Sequence, residues 1–268
     1  MSNKEFYKDK VIWITGASSG IGEALTKKLA SWDAKLIISS NRNGELERVK
    51  SECGLKSDMI VILHVDLSIS SDVEKAADQA IKIHGYIDIL FNNVGISQRS
   101  LATETSIETD RKIMEINYFS GIIITKKLLP SMIARGFGHI VTTSSLTGKF
   151  GLPYRSAYAA SKHAIAGYYE SVWMEFHNKG VRTTVVFPGP VRTNISIDAI
   201  GPDGKPFGKM DDLQTTGISP EKCATDILNG VRKNQREIFT GKSELRAVWI
   251  RRFFPGLFFK LMVRRNRV

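Results

Sequence analysis

Tyr158 and Lys162 stand four residues apart in a stretch rich in helix-forming residues, so both side chains would project from one helical face. A phenol ordinarily titrates near 10, too high for easy proton exchange at neutral pH. Lowering it by ~3 units takes about 4 kcal/mol of differential stabilisation, and an adjacent ammonium supplies part of that. Such a pair suits the protonation of an alkoxide formed from a carbonyl, or the reverse. The reacting oxygen would also need a hydrogen-bond donor. Ser144 and Ser145 lie just past the apolar run His139–Thr143, at the carboxyl end of a strand, where open α/β sheets bind their ligands. A hydroxyl there would hold a carbonyl oxygen and steady its developing charge. A Tyr-x-x-x-Lys pair alone carries little weight, because exposed helices hold many.

A second feature gives the pair context. Thr15-Gly16-Ala17-Ser18-Ser19-Gly20-Ile21-Gly22 follows the first apolar run and opens a helical pattern. Glycines at such a junction let the backbone turn tightly and approach a pyrophosphate, while the helix start offers unpaired N–H groups and partial positive charge. The spacing is Gly-x-x-x-Gly-x-Gly, distinct from the commoner Gly-x-Gly-x-x-Gly.

The elements that must position these residues alternate regularly. Val11–Thr15, Lys35–Ser39, Ile60–His64, Ile87–Phe91, His139–Thr143 and Arg182–Phe187 read as nearly continuous apolar strands, as in a parallel sheet covered on both faces. Helical patterns fall at Ile21–Ser31, Gly44–Glu52, Ser71–His84, Asp110–Ile133 (one helix or two) and Tyr158–Asn178. This alternation predicts an α/β fold, a Rossmann-type doubly wound parallel sheet. No repeat or linker divides residues 1–268, so a single domain is expected. Asn194–Gly217, with four glycines and two prolines, reads as a mobile loop, and Ser219-Pro220-Glu221 starts another helix.

Taken together, Lys10 to about Phe239 resembles the short-chain dehydrogenase/reductase family. The resemblance implies hydride transfer between a nicotinamide dinucleotide and a carbonyl or alcohol. It selects Ser145 over Ser144 as the substrate-oxygen donor, with Tyr158 as acid and base and Lys162 holding the ribose. Asn117 matches the family asparagine that supports a water chain to the lysine. Cofactor contacts are implied from Gly16, Ser18, Ser19, Gly20, Ile21 and Gly22 in the loop, and from Asp66 and Leu67 beside the adenine. Asn92-Asn93-Val94-Gly95 resembles the family's Asn-Asn-Ala-Gly: Asn92 is expected to tie strands together, while Asn93 and Gly95 face the dinucleotide. Pro188-Gly189-Pro190-Val191-Arg192-Thr193 resembles the Pro-Gly-x-Val-x-Thr turn, placing Pro188, Gly189, Val191 and Thr193 at the nicotinamide. At the end of the second strand Ser40 and Arg42 stand where an acid would repel a 2′-phosphate, so NADP(H) is favoured over NAD(H), although Asn41 departs from the extra arginine common in NADP-dependent relatives. The family also implies a homo-oligomer built through the helices around Asp110–Ile133 and Tyr158–Asn178. Residues 194–217 correspond to its variable substrate lid. There Ile195, Ile197, Ile200 and Phe207 would line an apolar pocket, and Lys205 and Lys209 would meet an anionic group. A lipid, steroid-like or xenobiotic ketone is the expected substrate; a β-ketoacyl thioester, or a regulator or membrane scaffold without catalysis, are the alternatives.

Composition sets the remaining bounds. The 268 residues carry a net charge of +11, with 42% hydrophobic and 24% charged residues. From Lys242 onward eight basic residues face one acid, Glu244, so +7 belongs to the tail and +4 to the rest. The body therefore does not read as a nucleic-acid binder. Only Cys53 and Cys223 occur, too few for a disulfide framework, and both are expected as buried thiols. No export signal or spanning segment is apparent, which suggests a cytoplasmic protein. The tail, residues 246–268, interleaves basic residues with Trp249, Phe253, Phe254, Phe258 and Phe259, a composition suited to peripheral contact with an anionic membrane, no metal being implied anywhere.

Overall fold

Runs of four to eight residues, most of them apolar and buried, assemble the centre of the molecule. In the computed structural model, which describes residues 1–265, seven strands form one sheet: β1 (Val11–Thr15), β2 (Lys35–Ser40), β3 (Ile60–His64), β4 (Ile89–Asn92), β5 (Gly138–Thr143), β6 (Val181–Pro188) and β7 (Glu237–Thr240). Their order is β3-β2-β1-β4-β5-β6-β7, with every pairing parallel. The order reverses between β1 and β4, and ligands bind such sheets at that switch point, past the carboxyl ends of the strands.

Eleven α-helices lie among the described residues: α1 (Asn3–Tyr7), α2 (Gly20–Ala30), α3 (Asn43–Glu52), α4 (Ser70–His84), α5 (Ile107–Met114), α6 (Ser120–Arg135), α7 (Ser156–Phe176), α8 (Asp212–Thr215), α9 (Pro220–Arg232), α10 (Arg246–Phe253) and α11 (Pro255–Arg265). Strand side chains alternate between two cores. Ile12 and Ile14 pack with Leu25 and Leu29 of α2 and Ile227 and Leu228 of α9. Val11 and Trp13 face the other way, toward Ala77 of α4, Leu128 of α6 and Ile165 of α7.

The six anticipated strands are present within two residues at each end. β7 was not anticipated: it is four residues long at the sheet edge, and only Ile238 and Thr240 turn inward. Also unanticipated is α1, closed by a Ser2–Glu5 capping box and docked through the buried Tyr7 hydroxyl, which donates to the Leu228 carbonyl at 2.8 Å. The Asp110–Ile133 segment becomes α5 and α6 joined by a π-turn, Glu115–Phe119. Ser219 caps α9 as expected, accepting from the Lys222 N–H at 3.2 Å, with Pro220 first in the helix. Cys223 is buried, but Cys53 is only half-buried.

The segment 194–217 is tied down rather than loose. It carries α8, and Ile200 exchanges backbone hydrogen bonds with the Ser97–Arg99 segment at 2.8 Å each. The partners lie about a hundred residues earlier, so local composition does not show these contacts. Of the tail, residues 246–265 form α10 and α11, while Asn266, Arg267 and Val268 lie outside the described residues.

Candidate active site

One cavity of about 1500 Å³ opens past the carboxyl ends of the strands and gathers almost every residue singled out in the sequence. At one end β1 turns into α2. Gly16 and Gly20 adopt positive φ, +65° and +59°, which favours glycine. A Cβ at Gly22 would stand 2.1 Å from the Gly16 carbonyl oxygen, so only glycine lets the turn close this tightly. Ser19 precedes the helix without a side-chain cap, leaving the first N–H groups of α2 to a ligand. These features fit a dinucleotide phosphate.

Beside the turn, the Ser18 and Ser40 hydroxyls hydrogen-bond at 2.9 Å, and the Ser40 oxygen accepts from the Arg42 N–H at 3.2 Å. No carboxylate stands at the end of β2. The Arg42 guanidinium instead pairs with Asp198 of the lid at 2.7 Å. Both partners are about half-exposed, so this pair is weak and a bound phosphate could displace it. Asp66 accepts from both the N–H and the hydroxyl of Ser68, which organises its own turn and holds its carboxyl below the usual range. Leu67 lines the cavity next to it.

The two asparagines at the end of β4 make different ties. Asn92 donates to the Tyr169 hydroxyl at 3.0 Å and reaches the Gly121 carbonyl, so it ties β4 to α6 and α7 rather than strand to strand. Asn93 is the strand tie: its N–H donates to the Thr15 hydroxyl, its amide to the Gly16 carbonyl, and its oxygen accepts from Thr143. It also lines the cavity, as does Gly95. A Cβ at Gly95 would come within 3.1 Å of the Lys162 Nζ, so a glycine there makes room for the lysine.

The proton-handling groups converge in the middle of the cavity. Lys162, 2% exposed, donates from Nζ to the Thr143 carbonyl at 2.8 Å and lies 5.7 Å from the centre of the Tyr158 ring. Burial brings its ammonium down to about 7. Ser144 is committed elsewhere, donating to the Lys162 carbonyl at 2.8 Å. Ser145 sits at the start of a 3₁₀ turn, where its oxygen accepts from the Thr147 N–H, and its hydroxyl pulls the Tyr158 phenol downward. Asn117 lies in the π-turn, a feature frequent at functional sites. Its side chain accepts from the Ile96 N–H at 2.8 Å and donates to the Ile96 carbonyl and the Ser161 hydroxyl, both at 3.0 Å. Its amide thus clamps the loop next to Lys162.

Lys162 was expected to draw the phenol of Tyr158 down. In the free protein burial prevails and raises it, while Ser145, Arg155 and Arg99 pull the other way. These arginines escaped sequence reasoning. Arg155 donates to Asp211 at 2.6 Å, and Arg99 makes a bidentate contact with the same carboxylate, with Nε at 3.1 and 3.3 Å. Burial raises the Asp211 carboxyl, yet the two guanidiniums overcome this and hold it low. Lys205 and Lys209 of the lid do not reach the cavity, nor do Ile197 and Ile200; Ile195, Phe207 and Leu213 line it. Gln98, fully buried, accepts from the Tyr158 N–H at 3.1 Å and fixes the first turn of α7. At the nicotinamide end, Pro188, Gly189, Val191 and Thr193 line the cavity, and a Cβ on Gly20 would meet the Thr193 methyl at 2.9 Å.

The profile of the family described as short chain dehydrogenase matches residues 10–200. The chain belongs to the short-chain dehydrogenase/reductase family. Among curated members, it is 39% identical over 97% of its length to "Dehydrogenase/reductase SDR family member 7B" of Danio rerio, covering 86% of that protein. The protein of that name from Mus musculus is 36% identical over 99% of the chain and 84% of the relative. Two solved structures share the fold. A short-chain dehydrogenase/reductase from Burkholderia phymatum in complex with NAD gives a TM-score of 0.81 at 24% identity, over 94% of this chain and 95% of that one. An alcohol dehydrogenase from Thermococcus sibiricus complexed with 5-hydroxy-NADP gives 0.73 at 24% identity, over 88% and 97%. The chain is accordingly an oxidoreductase acting on alcohol and carbonyl groups with a nicotinamide cofactor, built on the doubly wound sheet of its family.

Proposed function

We propose that this enzyme reduces apolar carbonyl compounds with NADP(H), Asn117, Ser145, Tyr158 and Lys162 forming its catalytic set. The observation that carries the reading is one cavity holding the glycine turn, Ser40 with Arg42, and the Ser145–Tyr158–Lys162 group together. Phe150, Leu152, Ile195, Phe207 and Leu213 give its substrate end an apolar wall. Ser40 and Arg42, with no acid at the end of β2, favour a 2′-phosphate.

When bound, the nicotinamide supplies or accepts the hydride. Gly16, Ser18, Ser19, Gly20, Ile21 and Gly22 cradle the phosphates against the start of α2. Asp66 and Leu67 border the adenine, Asn93 and Gly95 the middle of the dinucleotide, and Pro188, Gly189, Val191 and Thr193 the carboxamide. Lys162 holds the ribose. Ser145 donates to the substrate oxygen, and Tyr158 passes its phenolic proton to that oxygen as charge develops. Burial keeps the phenol protonated in the free protein, so the proton is in place, while Ser145, Arg155 and Arg99 work to ease its release. Asn117 keeps the 95–97 loop, and with it the space around Lys162, in place. The enzyme is proposed to act as a cytoplasmic homo-oligomer with peripheral membrane contact through its tail.

The test is oxidation of NADPH, with NADH in parallel, across apolar ketones, diketones and β-ketoacyl thioesters. Wild type is expected to prefer NADPH and apolar ketones. Tyr158→Phe should lose about 10²–10⁴ in kcat while still binding NADPH. Equal turnover by the phenylalanine variant would remove Tyr158 from the mechanism, and a preference for the thioesters would replace the substrate class.

A further inference from the structure

The C-terminal helices have two faces with different fates. Phe258 is buried against Phe150, ring centres 5.1 Å apart, and Met262 packs into the same core. At 100° per residue, Lys260 and Arg264 form a row on the opposite side of α11. Leu257 and Leu261 flank that row on one side, Phe259 and Val263 on the other, and all four are exposed. On α10, Trp249 and Phe253 stack with their planes 1° apart, and Trp249 and Phe254 are 63% and 64% exposed. Arg251 spans the two helices, its guanidinium 5.0 Å from the Phe259 ring centre. No acidic residue follows Glu244. Large apolar side chains, left in solvent and interleaved with exposed Arg246, Arg252, Lys260 and Arg264, match an interface that is apolar within and anionic at its surface. No helix among the described residues is long and apolar enough to cross a membrane, so this surface would lie on a bilayer.

The same helices border the active-site cavity. Ala247, Ile250, Phe258, Leu261 and Met262 line it from the tail. Leu261 also belongs to the exposed apolar surface, and from the lid Phe207 and Leu213 are likewise both exposed and cavity-lining. An apolar path therefore runs from the outer face of α11 to the substrate end of the site.

We propose that α10 and α11 dock on an anionic lipid surface and turn the mouth of the cavity toward it, so that the carbonyl substrate enters from the bilayer. The proposal rests on the reductase reading for its substrate and extends it to the route of supply. Arginine and lysine contacts with anionic headgroups bring the tail to the surface, and Trp249, Phe253 and Phe254 enter the interface. Long-chain ketones, concentrated in the lipid, then meet Leu261, Phe207 and Leu213 without crossing water.

The experiment uses the full chain with vesicles of phosphatidylcholine, with or without phosphatidylserine. Two triple variants avoid the cavity lining: Trp249→Ser with Phe253→Ser and Phe254→Ser, and Arg252→Gln with Lys260→Gln and Arg264→Gln. Wild type should sediment with the anionic vesicles and lose them at high salt, and each triple variant should bind at least about tenfold more weakly. Turnover of a short water-soluble ketone should be unchanged in both, while turnover of a long-chain ketone held in the vesicles falls with binding. Failure of wild type to bind anionic vesicles would overturn the docking surface. Binding with no loss of lipid-borne turnover in the variants would overturn the entry route. An aromatic variant that becomes monomeric without losing vesicle affinity would assign the patch to a second copy of the chain. If neither ketone is turned over, the reductase reading falls, and the sedimentation arm still decides the docking surface.

Discussion

Lys162 carries a cost that the cofactor site imposes on the fold. Its ammonium is buried with one hydrogen bond, to the Thr143 carbonyl, and burial lowers it from 10.5 to about 7. The unfolded chain keeps that proton up to about 10.5, whereas the folded protein releases it near 7. Between those values the unfolded state binds more protons, so the folded state gains stability as pH rises. Below about 7 the whole penalty is present. Lys162→Met should therefore change the melting temperature of the cofactor-free protein more favourably at pH 6 than at pH 9, while turnover collapses at both. The difference should be several degrees, taking about 2–4 °C per kcal/mol for a chain of this size. Thermal melts of the two proteins at the two pH values measure it; an equal difference at both would mean the lysine does not titrate in this range. At this scale the sequence was informative because the chemistry restricts the choice of residue: a phenol, an amine and a hydroxyl at fixed intervals. Arg99 and Arg155 were illegible for the opposite reason. Their partner, Asp211, is 112 residues from Arg99 and 56 from Arg155, and no local pattern joins them.

At the level of elements, that carboxylate is what fastens the lid to the site. Asp211 immediately precedes α8, and its N–H donates to the buried Ser196 hydroxyl at 3.2 Å. Its two guanidinium partners come from the loop after β4 and from the residue before α7, and both bear on the Tyr158 phenol. Asp211→Asn removes the negative charge and leaves both guanidiniums uncompensated. The phenol should then titrate lower, because a nearby positive charge favours phenolate. The alkaline decline of reductive kcat/KM should accordingly move to lower pH, KM should rise, and proteolytic cleavage within residues 201–209 should quicken as the lid loosens. A variant that merely perturbed folding would lower activity without moving the profile; an unmoved profile with intact activity would remove Asp211 from the electrostatics of the site. β1 was legible as an unbroken apolar run, and α7 because buried residues recur every three or four positions along it. β7 and the fastening of the lid were not, since a four-residue edge strand and a loop held by distant partners owe their form to tertiary contacts.

On the scale of the whole molecule, a further apolar surface lies on α6 and α7. Between α6 and α7 runs a shallow groove bordered by Leu129, Tyr168, Val172 and Phe176. Near it Phe119, at the end of the π-turn, is 46% exposed, and Met174 on α7 is 60% exposed. These are the two helices through which the family resemblance places subunit contacts, and a pair of helix faces packed against their own copies would cover all of these side chains. The oligomer proposed for this enzyme should therefore depend on them. Light scattering is expected to give a multiple of the 29.9 kDa chain mass for wild type. Phe119→Asp combined with Met174→Asp should shift it to the monomer, by burying like charges opposite one another at a two-fold contact. Because α7 also carries Tyr158 and Lys162, loss of the interface should lower the melting temperature and loosen the site, and turnover should fall with dissociation as the protein is diluted. A wild-type monomer at micromolar concentration would remove the interface; a variant that stays oligomeric would move it to another face, and the exposed aromatic residues of α10 would be the next to substitute.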